Sequence, residues 1–330
     1  MTTILSDTLR PGMYLGSRPL RVNKKGQVTV QTERGLQVNS LLRADEWQML
    51  DDRIQTAART RLTALNQLRK RGLVRPINSF GVLTTQWSQG GEMTAASADM
   101  TGEGRPERDR QAFKIQGRPV PIIYKDFRIP KREMEAARLL GTQLDTSHAT
   151  EAARVVAEKL EDMVVNGDAG VIFGGNTIYG FTTETNRNTG SATGDWGTIT
   201  NILPTITAMI AAANGDRYYG PFVLKVATQQ YAEISTSFFT DGSGQSALQR
   251  ALLIPQLEEI IPVDTLTAGS LVLAQMTEDV VDYAEHMDVT VVEWMSADGM
   301  IGYFRVMAVG TPRVKSDYGS RSGVVHYTGA

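Results

Sequence analysis

Cysteine is absent from the 330 residues, and histidine occurs only three times. The first absence removes disulfides, thiolate metal sites and cysteine nucleophiles together, and it fits a chain made in a reducing compartment. The histidines, His148, His286 and His326, lie far apart, and none has a second histidine at the helical spacing that marks a metal site. Long apolar runs are missing too. The longest, Ile202 to Ala213, is broken by Pro204 and Thr205 and falls short of the roughly 20 residues that a membrane span needs. Asp7 and Arg10 interrupt the start, so no signal peptide is expected. Neither sign of charge is in excess: 34 Lys and Arg against 36 Asp and Glu give a formal charge of -2. Such a balance leaves no broad electrostatic footprint for nucleic acid, so any contact with DNA should be weak or local.

Motifs of catalysis fail on order or on identity. Gly167, Gly170, Gly174 and Gly175 invite a phosphate-loop reading, but the glycines follow a helical pattern instead of preceding one, and no Lys-Ser or Lys-Thr pair comes after them. Gly319-Ser320-Arg321-Ser322-Gly323 carries arginine where a nucleophile elbow needs serine. The best chemical cluster is Glu278, Asp279, Asp282, Glu285, His286 and Asp288. On a helix it would align Glu278, Asp282 and His286 for a divalent cation, the basis of a metal-dependent enzyme as a distant alternative. Val280, Val281 and Tyr283 suit a strand and turn better, with these charges solvated at its edge.

What is present is an α+β chain, 41% hydrophobic and long enough for two lobes with cores. The most informative stretch runs from Pro121 to Phe181. Ile123, Lys125, Phe127 and Ile129 alternate with Ile122, Tyr124 and Asp126 at the side-chain period of a strand. Pro130 then falls in the first turn of a short helix closed by Leu139, Leu140 and Gly141. A second helix starts near Asp145 to Ser147 and shows Ala152, Val155, Val156, Leu160, Met163 and Val164 on one stripe before Asn166-Gly167 stops it.

Residues 1 to 40 read as an arm, with a hairpin signal around Lys24-Lys25-Gly26. From Ala44 to about Leu68 the pattern is one helix, with Trp47, Leu50, Ile54, Ala58, Leu62 and Leu65 on a face and Gly72 at its end. Phe80 to Trp87 and Phe113 to Ile115 read as strands separated by SQGGEMTAASADMTGEGRPERDR, which has no periodicity. Loops of that length in compact domains are usually functional or disordered. A two-stranded arm with a soft tip is expected, and Arg105, Arg108 and Arg110 interleaved with Glu103, Glu107 and Asp109 suit docking on protein better than on DNA. Further on, a helix over Leu203 to Ala213 has Pro204 in its first turn. A buried strand over Pro221 to Ala227, short helices over Thr228 to Ile234 and Gln245 to Leu253, and strands at Ser270 to Gln275, Val289 to Trp294 and Ile301 to Val309 follow. The last fifteen residues read as a tail.

This order of parts resembles the Hong Kong 97 capsid fold, shared by tailed-phage major capsid proteins and encapsulin shell proteins. LLRADEWQMLDDRIQTAA is similar to the encapsulin N-terminal helix, and FRIPKREMEAARLLGTQLDTSHATEAARVVAEKLEDMVVNG to the strand and spine helix of both groups. IYGF resembles the glycine turn after the spine, and YYGPFVLKVATQQYAEI the helix, Gly-Pro and strand of the apical lobe. The resemblance covers about Leu41 to Lys315.

It implies an arm and amphipathic helix over 1–78, an E-loop over 79–121, a peripheral domain with the spine helix over 122–167 and 301–330, and an axial domain over 168–300. The implied protein is a major capsid protein of a tailed double-stranded DNA phage, assembling with itself into pentamers and hexamers of an icosahedral shell. Its place would be the virion, after assembly in the host cytoplasm. An encapsulin-type compartment shell loading an enzyme cargo is the alternative. Neither reading is that of an enzyme or implies a cofactor, metal or membrane. Portal, scaffold and decoration proteins would be partners, with packaged DNA held non-specifically. A separate scaffold is implied because no large N-terminal scaffolding domain is seen. Between subunits the contacts would come from Trp87, Gly90, Gly91, Met93, Met100, Arg105, Glu107, Arg108, Asp109 and Arg110 of the loop, and from Trp47, Leu50 and Ile54 of the N-terminal helix. Gln86 to Phe113 contains no lysine, so a covalent crosslink from that loop is not expected.

Overall fold

The computed structural model describes residues 44–96, 98, 100, 109–140, 146–239 and 244–330, with the backbone pairing of four strands between 14 and 39. Those four are β1 (Tyr14–Leu15), β2 (Arg18–Val22), β3 (Val28–Gln31) and β4 (Gln37–Asn39), an antiparallel meander whose β2–β3 pairing brackets the expected hairpin. Next come α1 (Ala44–Arg61), α2 (Thr63–Lys70), β5 (Val74–Pro76), β6 (Thr84–Gly90), β7 (Phe113–Pro119) and β8 (Ile122–Pro130). The middle of the chain holds α3 (Lys131–Leu140), α4 (Ser147–Val165), β9 (Asp168–Phe173), β10 (Asn176–Ile178), β11 (Asn188–Ser191), α5 (Ile199–Gly215) and β12 (Phe222–Val226). It ends with α6 (Thr228–Thr236), α7 (Ala247–Ala251), β13 (Leu257–Pro262), β14 (Ser270–Gln275), β15 (Val281–Met295), β16 (Ile301–Val314) and β17 (Val324–Thr328).

Two compact units result, one of Met1–Asn66, Pro121–Glu161 and Glu285–Gly310, the other of Gln67–Val120, Asp162–Ala284 and Thr311–Ala330. In the first, β8 pairs antiparallel with β16 from Ile301↔Pro130 to Val309↔Ile122, so Pro130 closes the strand and α3 begins one residue later. Phe127 stacks on Phe304 between these strands, with ring centroids 5.1 Å apart. The expected N-terminal helix is broken in two at Leu62. Buried Glu161 of α4 accepts from the Thr63 hydroxyl at 2.6 Å, from Ala64 N–H at 2.6 Å and from Leu65 N–H at 3.3 Å, so a distant carboxylate caps the start of α2. No residue pattern within the helix announces that break. The stripe of α4 is also shifted: Ala149, Ala153 and Ala157 are buried with Ala152, Val156 and Leu160, while Val155 is exposed.

In the second unit the main sheet runs β11-β17-β14-β12-β13, with α5 packed on one face. Ile202, Ile206, Met209 and Ile210 of α5 join Phe222, Leu224, Leu271, Leu273 and Val325 in one core. β12 and β14 are buried at every position, Lys225 of β12 included, in keeping with the buried strand expected over Pro221 to Ala227. Two sequence expectations fail here. α5 begins five residues before Pro204, which therefore lies inside the helix and not in its first turn. The supposed C-terminal tail contains β17, which lies between β11 and β14 in this sheet, with Val324 and Val325 fully buried. Its five residues are too few, and too closely flanked by Gly and Ser, to stand out in the sequence.

The glycine turn after α4 has a steric cause. Phe181 and Thr182 donate their N–H groups to the carbonyls of Val164 and Val165 at 3.2 and 2.9 Å, satisfying the end of α4 with the returning chain. That approach passes Gly167, at φ +75°, and Gly180, where a Cβ would lie 2.5 Å from both Gly167 N and Val165 O. Gly180→Ala is expected to lower the protein's stability by roughly 3 kcal/mol or more, because backbone is met on both sides. Urea unfolding of the purified protein checks this, and a loss under about 1 kcal/mol contradicts it.

Candidate functional site

β6 and β7 form a two-stranded antiparallel ribbon, in register from Thr84↔Pro119 to Gly90↔Phe113 and prolonged by the Gly91 N–H to Ala112 carbonyl bond of 2.7 Å. Both strands are longer than, or shifted from, the sequence expectation: β6 starts at Thr84, not Phe80, and β7 runs on to Pro119, past Ile115. Burial along β7 rises from tip to root. Phe113 and Ile115 stand 64% and 70% exposed, whereas Gly117, Arg118 and Pro119 are buried. Met93 and Met100 are exposed beyond the strand ends. Among the described residues from Thr84 to Pro119, these four are the exposed large apolar side chains.

The root of the ribbon is held quite differently. Trp87 lies under two guanidiniums, Arg118 at 5.3 Å and Arg313 at 5.8 Å from its ring. Arg118 also sits 4.7 Å over Tyr179 and pairs with buried Glu184 at 2.8 Å. Burial pushes the Glu184 carboxyl up, against the pull of Arg118. Arg313 makes a bidentate pair of 2.6 Å bonds to fully buried Asp282 and a 3.0 Å bond to the Thr85 hydroxyl. Lys315 reaches the same carboxylate at 2.7 Å and Arg75 at 3.3 Å. Burial holds the Lys315 ammonium below its ordinary range, with Asp282 opposing. Gln89 adds a buried bond to the Ser316 hydroxyl.

This arrangement overturns the helical reading of the acidic cluster. Asp282, Glu285, His286 and Asp288 lie on β15, not a helix; Glu278 pairs with Arg75, and Asp282 is occupied by three cations. Among the described residues no group of three or more His, Asp or Glu is placed to hold a metal ion. A Ser–His pair does occur, with Ser270 Oγ 2.8 Å from His326 Nε2. The ring's other nitrogen accepts from Arg187 Nε at 3.4 Å. Arginine thus stands where a Ser-His-Asp triad places its carboxylate.

Of the residues named for the loop, Trp87 is the half-buried root, Gly90 ends β6, and Gly91 is buried beside the Tyr318 ring. Asp109 and Arg110 are exposed, Asp109 accepting from Thr94 N–H at 2.8 Å. Arg105, Glu107 and Arg108 lie outside the described residues, as does the side chain of Trp47. Leu50 and Ile54 are fully buried and hold α1 to its own chain, so they are not free to contact a neighbouring copy. Sequence reading missed Phe113, Ile115, Arg118 and Glu92; the alternation of Phe113, Ile115 and Gly117 against Lys114, Gln116 and Arg118 was the available signal.

This combination of a ribbon arm, a long helix and a mixed lobe recurs among known proteins. Type 1 encapsulin shell protein EncA of Myxococcus xanthus (strain DK1622) is 26% identical over 277 residues, 83% of this chain and 90% of that protein. The virus-like particle subunit from Pyrococcus furiosus superposes with a TM-score of 0.63 at 17% identity, covering 85% of this chain and 98% of the other. The capsid protein of Myoviridae phage XM1 gives 0.61 at 13% identity, over 82% and 92%. The chain therefore has the Hong Kong 97-like capsid fold, an α+β architecture that solved phage capsid and virus-like particle subunits share. Residues 37–327 match the model of a family of unknown function, DUF6260, and the chain belongs to that family.

Asp282→Asn leaves Arg313 and Lys315 buried without their counter-charge and is expected to cost about 3 kcal/mol or more in urea unfolding; a loss below about 1 kcal/mol removes Asp282 as the root's anchor. His326 is held below its ordinary value by burial and by Arg187. The unfolded chain then binds the proton first, so stability is retained above about pH 6.5 and falls as pH drops towards the folded value. His326→Gln should flatten the change in urea midpoint between about pH 7.5 and 5; an unchanged slope assigns it to other groups.

Proposed function

We propose that this chain is a shell-forming subunit, and more narrowly the major capsid protein of a tailed phage that encloses double-stranded DNA. The observation that carries this reading is the ribbon: an arm with exposed Phe113 and Ile115 on a root locked by buried charge. An exposed two-stranded arm is an aggregation hazard for an isolated protein. Laid across a neighbouring copy, it satisfies its backbone and buries its apolar side. Head-to-tail contacts of this kind close into rings, and many weak contacts per subunit stabilise a shell by multivalency. In this reading 79–121 is the E-loop, 122–167 with 301–330 the peripheral domain, 168–300 the axial domain, and 1–78 the arm and helix. The near-neutral charge suits a lining that must not grip a genome to be packed and released. Portal, scaffold and decoration proteins are the expected partners.

An encapsulin-type compartment is the second reading, favoured by the match over 90% of an encapsulin shell protein. Electron microscopy of the protein expressed alone and beside its neighbouring genes, with absorbance on any particles at the nucleic-acid band, distinguishes them. Closed particles with nucleic acid support the phage reading, particles holding a protein cargo support the encapsulin reading, and dispersed monomer in both preparations contradicts each. Shortening the loop between Gly91 and Gln111 is expected to leave the subunit's stability unchanged within about 0.5 kcal/mol while abolishing particles. Normal particles from that variant would remove the loop from the assembly contact.

A further inference from the structure

Among the described residues, the non-glycine positions with positive φ are Arg217 at 68° and Ser320 at 62°. Such conformations are uncommon outside glycine and cluster where a site demands them. Both belong to one place. Arg217 follows the end of α5, and Ser320 directly precedes Arg321 in a tight turn closed by the Asp317 N–H to Arg321 carbonyl and Ser320 N–H to Asp317 carbonyl bonds. The two guanidiniums converge on a single oxygen, Oε1 of Glu92, with Arg217 Nη1 at 2.8 Å. Glu92 is the second residue beyond the end of β6, just after Gly91, where a Cβ would come within 3.4 Å of the Tyr318 ring of the same turn. Arg217, an arginine where glycine or asparagine is the ordinary helix-ending residue, keeps its cation at a conformational cost. Two other carboxylates stand nearby and leave the convergence on Glu92 intact. Asp317 is 3.9 Å from Arg321, and Asp216 accepts from the Asn188 side chain and from Ser322 N–H.

We propose that Glu92, gripped by Arg217 and Arg321, is a latch that holds the end of the ribbon, Gly91 to Thr94 with Asp109 to Ala112, on its own subunit until a neighbouring copy takes it. The proposal rests on the shell-forming reading for its purpose, but the latch itself is a property of the single chain. Glu92 is 56% exposed and Arg217 63%, so the pairs are weak and screened by salt. A weak restraint is what a releasable arm needs. The amides of Gly91 and Thr94, bonded to the Ala112 carbonyl and the Asp109 carboxylate, report its state.

Hydrogen exchange on the full-length unassembled subunit tests the latch. Glu92→Gln and Arg217→Gly are each expected to speed exchange at Gly91 and Thr94 about three- to tenfold. Arg217→Gly also removes the strained conformation, so it should melt no lower than the parent protein while its ribbon end loosens. Raising salt from about 0.1 to 1 M should loosen the parent ribbon and leave Glu92→Gln unchanged. In light scattering, both variants should assemble with a shorter lag. Unchanged exchange in the variants overturns the latch, and faster exchange with an unchanged lag overturns its holding role. Failure of the parent protein to form particles counts against the shell reading alone, because exchange is measured on the unassembled chain.

Discussion

A single carboxylate with no exposure to solvent, Asp282, organises the surroundings of the arm. Removing a charge from water costs several kcal/mol, and it is tolerated only where cations and hydrogen bonds replace the lost hydration. Arg313, Lys315 and Arg75 do so, and Arg313 carries the constraint outward to Thr85 and the Trp87 ring. Arg118 and Glu184 form a second buried pair, with Arg118 on the other strand of the ribbon. The direction of the arm is thereby set by charges that cannot rearrange cheaply.

Past that root the energetics change character. Phe113, Ile115, Met93 and Met100 face solvent, and the pairs that Glu92 makes are exposed. Strong, desolvated interactions thus give way to weak, screened ones within a few residues. In the proposed shell-forming role that gradient is an advantage, because a fixed root limits the orientations the tip samples before contact. The charged side chains that first suggested chemistry, Glu278 and Asp282 among them, are engaged instead in holding this root.

Sequence legibility followed the range of the interactions. α4 and its glycine stop, β12, β14 and α6 were readable because periodicity and caps are local. The break between α1 and α2 was not, since its cause, Glu161, is almost a hundred residues away. Nor was β17, whose neighbours β11 and β14 supply its hydrogen bonds from distant segments. Within the arm the loop and its two strands were visible, whereas Glu92 looked like one charge among many until Arg217 and Arg321 were placed around it.

The long amphipathic helix, the buried strands β12 and β14 of the second unit and the unpatterned loop are consequences of spacing along the chain, and they can be read without coordinates. Which carboxylates are buried, which arginines hold the ribbon, and which of its apolar side chains face solvent are settled only once the chain is folded. Burial and charge pairing depend on distance in space, and partners such as Asp282 and Arg313, or Glu92 and Arg321, are far apart in sequence and meet only in the tertiary structure.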